Sequence, residues 1–401
     1  MQKVYLTGLG AATPLGLGCE LLWDGLMSGR SGIAPLKRIE TSDLQVKIGG
    51  EVPDIDLVQL QEDLGESVEL KRTDRATQFA LVAAREALAD AGLPLSGLGE
   101  RYATILGSGL SGMETLQEQT ERLLDRGPRR VSVFTIPMLM PNAAPANISL
   151  MSGARGPCYT VSTACASSGN AMIDAYEMIR RGEVDAAITG GTEASLTRLA
   201  VSSFCNMKAM NTDSNDEPTK SIRPFDLNRH GFIMSEGAGV LIFESEEHLA
   251  KRGGTPYAEL IGYGSTADSF HLVQPDPEAR QATRAIQSAL DSAGLTAEQI
   301  ASATYVNAHG TGTGLNDAME TVALKKVFGE HASKLQVSST KSMTGHVIGA
   351  SCAIEMLACV LALRYGKLPP TINYDTPDPE CDLDYIPNHA REANVEYALN
   401  N

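Results

Sequence analysis

Short β-branched and aliphatic runs alternate along the chain with longer segments whose apolar positions recur every three or four residues. "KVYLTGLG", "YATILGSG" and "DAAITGG" read as strands in the first half, and "AELIGYG", "ATYVNAHG" and "KLQVSST" in the second. With Ala-rich helical stretches between them, this is the signature of α/β layering. Two of the helical stretches match. "RATQFALVAAREALADAGL" ends at Leu93 and "ARQATRAIQSALDSAGL" at Leu295, each closed by Ala-Gly-Leu, with glycine suited to a left-handed helix end. Each then leads into a strand and a glycine turn, "TILGSG" and "YVNAHGTG". Further on, "YTVSTACASSGNAM" pairs with "QVSSTKSMTGHVIGASCAIEML", again a strand, a small-residue turn and a helix. One α/β unit used twice is expected, with the second copy starting near Pro256 and the halves spanning 1–253 and 254–401.

Duplication carries a geometric expectation. Ligands of open α/β sheets bind beyond the carboxyl ends of strands, where helices begin. Cys165, His309 and His346 all stand at such positions, one from the first copy and two from the second, so a pseudo-twofold would gather them in one cleft.

Composition narrows the class. The 401 residues are 43% hydrophobic and 20% charged, as in a globular protein with room for two domains or one large duplicated core. No run of about 18 apolar residues stands out, so no membrane span is expected. "MQKVYLTGLG" enters a strand pattern at once without a signal-peptide core, which makes a cytoplasmic location the expectation. Seven scattered cysteines with no CxxC pair point away from disulfides and from a zinc ribbon. A net charge of −16 opposes general nucleic-acid binding. Two basic patches interrupt it, "ELKRTDR" with Lys71, Arg72 and Arg75, and "RGPRRVS" with Arg126, Arg129 and Arg130; solvated surface is their simplest reading.

The chemistry centres on "VSTACASSGNAM". Free cysteine is usually a buried packing residue, and Cys158, Cys205, Cys352 and Cys359, inside apolar or helical runs, are read that way. Cys165 differs. It would open a helix with Met172, Ile173, Tyr176 and Ile179 on one face, and a thiolate there is stabilised by the dipole and free backbone N–H groups. Its small neighbours leave room for a substrate, as covalent catalysis requires. In "NAHGTGTGLNDAMET" and "STKSMTGHVIGAS", His309 and His346 sit at a strand end and before a small-residue helix. A structural histidine is one reading of each. The other is a neutral N–H donor to a developing oxyanion or enolate, favoured by their matched positions with Cys165. Zinc competes, but neither HExxH nor Cys/His ligand spacing is present. An ion pair between Lys341 and Glu355 could order the histidine loop, and Thr311 and Thr313 offer hydroxyls to a polar ligand arm or to their own turn. "GLGAATPLG" suggests a dinucleotide loop, yet the third glycine falls on Thr13 and no acid-ended strand follows.

Together "STACASS", "NAHGTGT", "TKSMTGH", "RPFD" and "SEGAG" resemble the β-ketoacyl-acyl carrier protein synthases, closest to the elongating type II enzymes, with polyketide ketosynthases nearby. The resemblance spans nearly the whole chain, in order. It implies a thiolase fold, two similar α/β halves packed as five layers, usually in a homodimer. It implies that Cys165 takes the acyl group from a phosphopantetheine thioester and that His309 and His346 hold the malonyl thioester carbonyl during decarboxylation. No metal or redox cofactor is implied. Lys341 and Glu355 match supporting positions, Thr311 and Thr313 positions that meet the pantetheine arm, and Leu110, Ser111 and "IPMLMPN" the acyl pocket wall. Lys71, Arg72, Arg129, Arg130 and Lys208 become candidates for docking the acidic carrier protein. The second histidine separates this chain from Cys-His-Asn initiating enzymes, and Cys381 lacks the setting of a thiolase's second cysteine.

The chain departs from that pattern in three places. His230 and Ser235 in "RHGFIMSEGAG" stand where Asp and Gly are usual. Asp213 in "NMKAMNTDSN" replaces a common basic residue. "ANVEYALNN" reads as a strand reaching Asn401, where the family continues through a Gly-Phe-Gly-Gly loop that supplies the second oxyanion N–H. The expectation is a shortened sequence of an active enzyme, with a non-catalytic partner subunit as the alternative.

Overall fold

A computed structural model describes residues 2–401. Its principal strands are β1 (Val4–Thr13), β2 (Tyr102–Gly107), β3 (Cys158–Val161), β4 (Ala186–Glu193), β5 (Gly237–Ser245), β6 (Ala258–Leu260), β7 (Thr304–Asn307), β8 (Gln336–Ser338) and β9 (Tyr397–Asn400). The helices that pack on them are α1 (Arg75–Asp90), α2 (Ala143–Ser152), α3 (Ser167–Arg180), α4 (Arg280–Ala293), α5 (Gly314–Phe328) and α6 (Ser351–Tyr365).

The first sheet runs β1-β5-β4-β2-β3; β4, β2 and β3 are mutually parallel, while β5 is antiparallel to both its neighbours. β6, from the second half, adds antiparallel to the start of β1, Val4 opposite Leu260. The second sheet is smaller and all parallel, β8-β7-β9. Helices α3 and α6 lie between the sheets. Ala171, Met172, Ala175, Tyr176 and Ile179 of α3 share a core with Ala353, Ile354, Leu357, Ala358 and Leu361 of α6. Outside the first sheet, α1 and α2 pack through Phe79, Leu81, Ala84, Leu88 and Ile148. Outside the second, α4 and α5 bury Ile286, Leu290, Leu324 and Phe328 against Val306 and Val337. The result is five alternating layers.

The repeat read from the sequence is visible here. α1 and α4 both end before a glycine at positive φ, Gly92 at +67° and Gly294 at +68°. The parallel pair β2/β3 has its counterpart in β7/β8, and each pair is followed by a central helix. The copies differ where chemistry enters. The first passes from β3 to α3 in one tight turn, whereas the second inserts a short helix at Lys341–Thr344 and a 3₁₀ turn at Ile348–Ala350 before α6.

Two expectations need correction. By length and composition the stretch Ile348–Tyr365 reaches what a membrane span needs, but it is mostly buried as the central helix of the double-sheet core. Cys158 does not pack in an apolar run; it is exposed on the edge strand β3, because that strand has a neighbour on one side only.

β2 ends in glycine, which lets a helix sit close to it. A Cβ on Gly107 would lie 2.1 Å from the backbone N of Ser168, the second residue of α3. Gly107→Ala must therefore push back the start of α3. Overpacking of this kind costs about 1–3 kcal/mol. Chemical denaturation should show that loss together with slower modification of Cys165; a wild-type value of both would mean that the helix start is not held by this contact.

Candidate active site

The carboxyl ends of β2, β3, β4, β7 and β8 meet at one place, and Cys165, His309 and His346 lie there. Their ligand-capable side-chain atoms are all within 4.8 Å of one another. Cys165 Sγ is 3.1 Å from His346 Nε2, and the two imidazole rings are 5.5 Å apart and nearly perpendicular.

The turn that presents Cys165 is strained. Ala164 has φ +53°, a conformation that L-residues other than Asn and Asp seldom adopt. Ser167 holds it, its Oγ donating to Ala164 O at 2.6 Å and accepting from Thr163 N at 2.9 Å. Cys165 is thus delivered immediately before Ala166, the N-cap of α3, at the helix start that the small-residue pattern suggests. Burial nevertheless pushes the thiol up to about 11, with Lys341 pulling it back down. Desolvation outweighs the lysine at rest.

His309 is fixed at three points. Glu320 accepts from the backbone N–H of His309 at 2.7 Å and of Gly310 at 2.8 Å, while Lys341 Nζ donates to His309 Nδ1 at 3.2 Å. Lys341, 1% exposed, also pairs with buried Glu355. His346 is braced on its backbone by Ile233 O and Ser235 N, both at 2.9 Å. Its Nδ1 accepts from Ile348 N at 3.1 Å and lies 3.1 Å from Ser351 Oγ. Burial first, then Lys341, holds both imidazoles well below the usual histidine range.

These contacts decide the tautomers. A donor already sits on each Nδ1, so each neutral ring carries its proton on Nε2, facing the cleft. The three atoms are close enough for one metal ion, but the Nδ1 partners make the histidines N–H donors instead of lone-pair ligands. That pattern suits an oxyanion or enolate. His346 Nε2–H points at Cys165 Sγ as a donor to sulfur, not as a base.

Thr311 and Thr313 are 3.0 Å apart at their hydroxyls; Thr311 is buried and Thr313 partly open. Leu110 lies half-buried in the loop after β2. Lys71, Arg72, Arg129, Arg130 and Lys208 are all exposed. Arg72 lies 4.2 Å over the Phe134 ring, which ties its turn to the segment carrying Arg129 and Arg130. Of the departing residues, Ser235 is fully buried between Gly50 and Gly345, where a Cβ on either glycine would strike its hydroxyl. His230 and Asp213 are exposed.

Cys352 packs against the central core, as expected, and also reaches the site. It lines the cavity of about 250 Å³ that holds Cys165, His309 and Glu320, and also a neighbouring one of about 310 Å³ between residues 260–266, 398–401 and α3. Its thiol is 3.6 Å from Cys165 O. Asn401 borders both cavities, with its N donating to Asn307 O at 3.0 Å and its side chain to Glu320 at 2.6 Å.

Sequence reasoning missed the carboxylates that hold the loops, Glu193, Asp317 and Glu320. Asp317 and Glu320 are three apart after the glycine turn and so share a helix face, which was a readable signal. Asp317 accepts from Phe225 N at 2.8 Å and Gly312 N at 3.2 Å.

A thiol at a helix start and two N–H-donating histidines across a pseudo-twofold define a condensing enzyme of the thiolase fold. The chain belongs to the β-ketoacyl synthase family: residues 1–248 match its N-terminal domain and 257–375 its C-terminal domain. Among curated relatives, 3-oxoacyl-[acyl-carrier-protein] synthase 2 of Staphylococcus aureus (strain COL) is 43% identical over all 401 residues, covering 95% of that protein. The protein of the same description from Synechocystis sp. is 44% identical over 401 residues, covering 94% of its length. Among solved structures, a type II polyketide acyl-carrier protein in complex with its ketosynthase, bound to the hexaketide, superposes with a TM-score of 0.90 at 32% identity, covering 99% of this chain and 95% of that one. A β-ketoacyl synthase from Burkholderia phymatum STM815 gives 0.89 at 32% identity, with the same two coverages.

Proposed function

We propose that this β-ketoacyl-acyl carrier protein synthase elongates fatty-acid chains with Cys165 as nucleophile and His309 and His346 as the carbonyl-binding pair. The observation that carries the assignment is the convergence of those three side chains with both Nε2–H groups aimed into one cleft. Cys165 sulfur attacks the acyl thioester carbonyl, and the carrier's pantetheine thiol leaves with a proton. Malonyl thioester then binds with its carbonyl oxygen against His309 and His346. Its bond to the carboxylate breaks, carbon dioxide departs, and the electron pair forms an enolate that the two N–H groups stabilise. The enolate carbon attacks the acyl-cysteine, the new carbon–carbon bond forms, and the Cys165 thiolate is expelled. Lys341 orients His309, and Glu355 balances the lysine. Thr311 and Thr313 flank the pantetheine arm, and Leu110 borders the acyl chain.

The halves 1–253 and 254–401 are the functional units of this division of labour, a reading supported by family matches that stop at 248 and resume at 257. A homodimer is supported by the edge strand β3 and by the exposed apolar Leu124, Val133 and Ile136 of the segment 113–139. A cytoplasmic location is supported by the seven unpaired cysteines, one of them exposed at that edge.

The carrier protein docks on Lys71, Arg72, Arg129 and Arg130, with Lys208 as a further contact. The test is product formation from acyl- and malonyl-carrier protein, followed as 3-oxoacyl thioester. Arg129→Glu with Arg130→Glu should raise KM for carrier-bound substrates about 10-fold, a binding loss near 1.4 kcal/mol. Free pantetheine thioesters should be used as well as before. Equal losses on both substrate types would remove the docking assignment, and absence of product from the unaltered protein would remove the enzyme assignment.

A further inference from the structure

Glu193 ends β4 and is fully buried, yet the groups facing its carboxylate are hydrogen-bond donors and not a cation. Gly109 N lies 2.8 Å from it, Leu110 N 3.2 Å, Gly349 N 3.1 Å and Ser195 Oγ 2.7 Å. Burying a carboxylate without a counter-charge is costly, and such groups are kept where a loop has to be held. Glu193 bridges the halves: Gly109 and Leu110 belong to the loop after β2, and Gly349 to the turn after His346.

That turn is strained. Ile348 has φ +43°, an outlier for a β-branched residue. The strain has a visible use. It aims Ile348 N–H back at His346 Nδ1, while the next amide, Gly349 N–H, is gripped by Glu193. The packing leaves no alternative seat, since a Cβ on Gly349 would lie 2.2 Å from Gly109 N.

We propose that Glu193 is a positioning residue for the reaction: by holding Gly349 it keeps the strained Ile348 amide on His346 Nδ1, and so keeps the Nε2 proton of His346 directed at the substrate carbonyl. The proposal rests on the role given to His346 above. The charged and titratable groups around His346 are Cys165 from the turn before α3, His309 from the loop after β7, Lys341 with its partner Glu355, and Glu193 itself.

Two substitutions separate this role from charge and from bulk stability. Glu193→Asp keeps the charge but is one methylene too short to span from Gly109 to Gly349. It should lower kcat for malonyl decarboxylation about 10- to 100-fold, with KM changed less than about 2-fold and Cys165 acylation retained. The acid limb of its decarboxylation profile should move to higher pH, because an Nδ1 without its donor takes up a proton more readily. Glu193→Gln can keep its oxygen on the three amides and turn its NH₂ to Ser195 Oγ; it should stay within about 3-fold of wild type. A purely electrostatic role predicts the reverse, with Gln impaired, Asp normal, and the acid limb of Gln moved down. Equal loss in acylation and decarboxylation, accompanied only by a lower denaturation midpoint, would reduce Glu193 to a structural group. Should neither variant fold, ¹⁵N-histidine spectra of the unaltered protein decide, since His346 must show the Nε2–H tautomer and an Nδ1–H tautomer overturns the proposal. Failure of the unaltered protein to decarboxylate malonyl thioester would instead count against the function itself.

Discussion

Cys165→Ala should leave no acyl adduct on the protein after incubation with an acyl-carrier thioester, and condensation should fall by at least about 10⁴-fold. Malonyl decarboxylation should survive the same change. The reason lies in how the donors are held: His309 is fixed through Lys341 and Glu320, and His346 through Ile348 and Ser351, none of which involves the thiol. Removing Sγ also frees His346 Nε2–H from its 3.1 Å contact, so the donor remains available to a carbonyl. Intact-mass measurement and carbon dioxide release read the two halves of the reaction separately. An adduct that persists in the variant would move the nucleophile elsewhere, with Cys352 the first residue to examine because it lines the same cavity. Loss of decarboxylation along with acylation would show that the thiol, and not the histidine scaffold alone, organises the malonyl site.

Lys341→Ala carries the second large effect, on stability and rate together. Glu355, 2% exposed, would keep a buried carboxylate without its ammonium partner, and breaking such a pair costs about 3–5 kcal/mol. His309 would also lose the donor on Nδ1, so its proton could settle there and leave Nε2 bare toward the substrate. Loss of one preorganised donor typically lowers kcat about 10²–10³-fold. The pH profile adds a direction. Lys341 helps hold both histidines below their usual range, so without it they protonate at higher pH. An imidazolium would pair with the malonyl carboxylate and stabilise the charge that has to leave as carbon dioxide. The acid limb of decarboxylation should therefore move up in pH. Stability of the unaltered protein follows the same linkage. The unfolded chain's histidines take up protons near pH 6.5, while the folded ones stay neutral, so the unfolded state binds more protons there and stability falls as the pH is lowered. Denaturation midpoints against pH, with decarboxylation rates on the same samples, test both statements. A Lys341→Ala protein of unchanged stability and unchanged acid limb would mean that the lysine neither balances Glu355 nor biases the imidazoles.

How much of this could be read beforehand differs from element to element. β1, β2 and β4 lie where their aliphatic runs put them, because each strand is buried on both faces and so reads as a continuous apolar stretch. β6 is shorter than "AELIGYG" suggests, since its ladder to β1 extends only from Ala258 to Leu260. Cys158 sits in an apolar run yet is exposed, and Cys352 packs on the core while also lining the cavity beside Cys165. A cysteine's neighbours in sequence do not say which edge of a sheet or which wall of a cavity its side chain meets. Glu193 was hidden for a related reason. A carboxylate at the end of "AITGGTE" looks like a solvent-facing strand terminus, and only the approach of two glycine turns from different halves makes it a buried acceptor.

By itself the sequence determined the layering and the repeat, and it singled out the thiol, the two histidines and the Lys341–Glu355 pair that the fold brings together, because periodicity, glycine turns and residue chemistry are local and survive in one dimension. Tertiary structure alone decided which nitrogen of each imidazole keeps its proton, how far burial raises the thiol, and which carboxylates hold the loops. Those properties depend on hydrogen bonds between strand ends far apart in the chain, and on the exclusion of water that begins only when the two sheets close over the central helices.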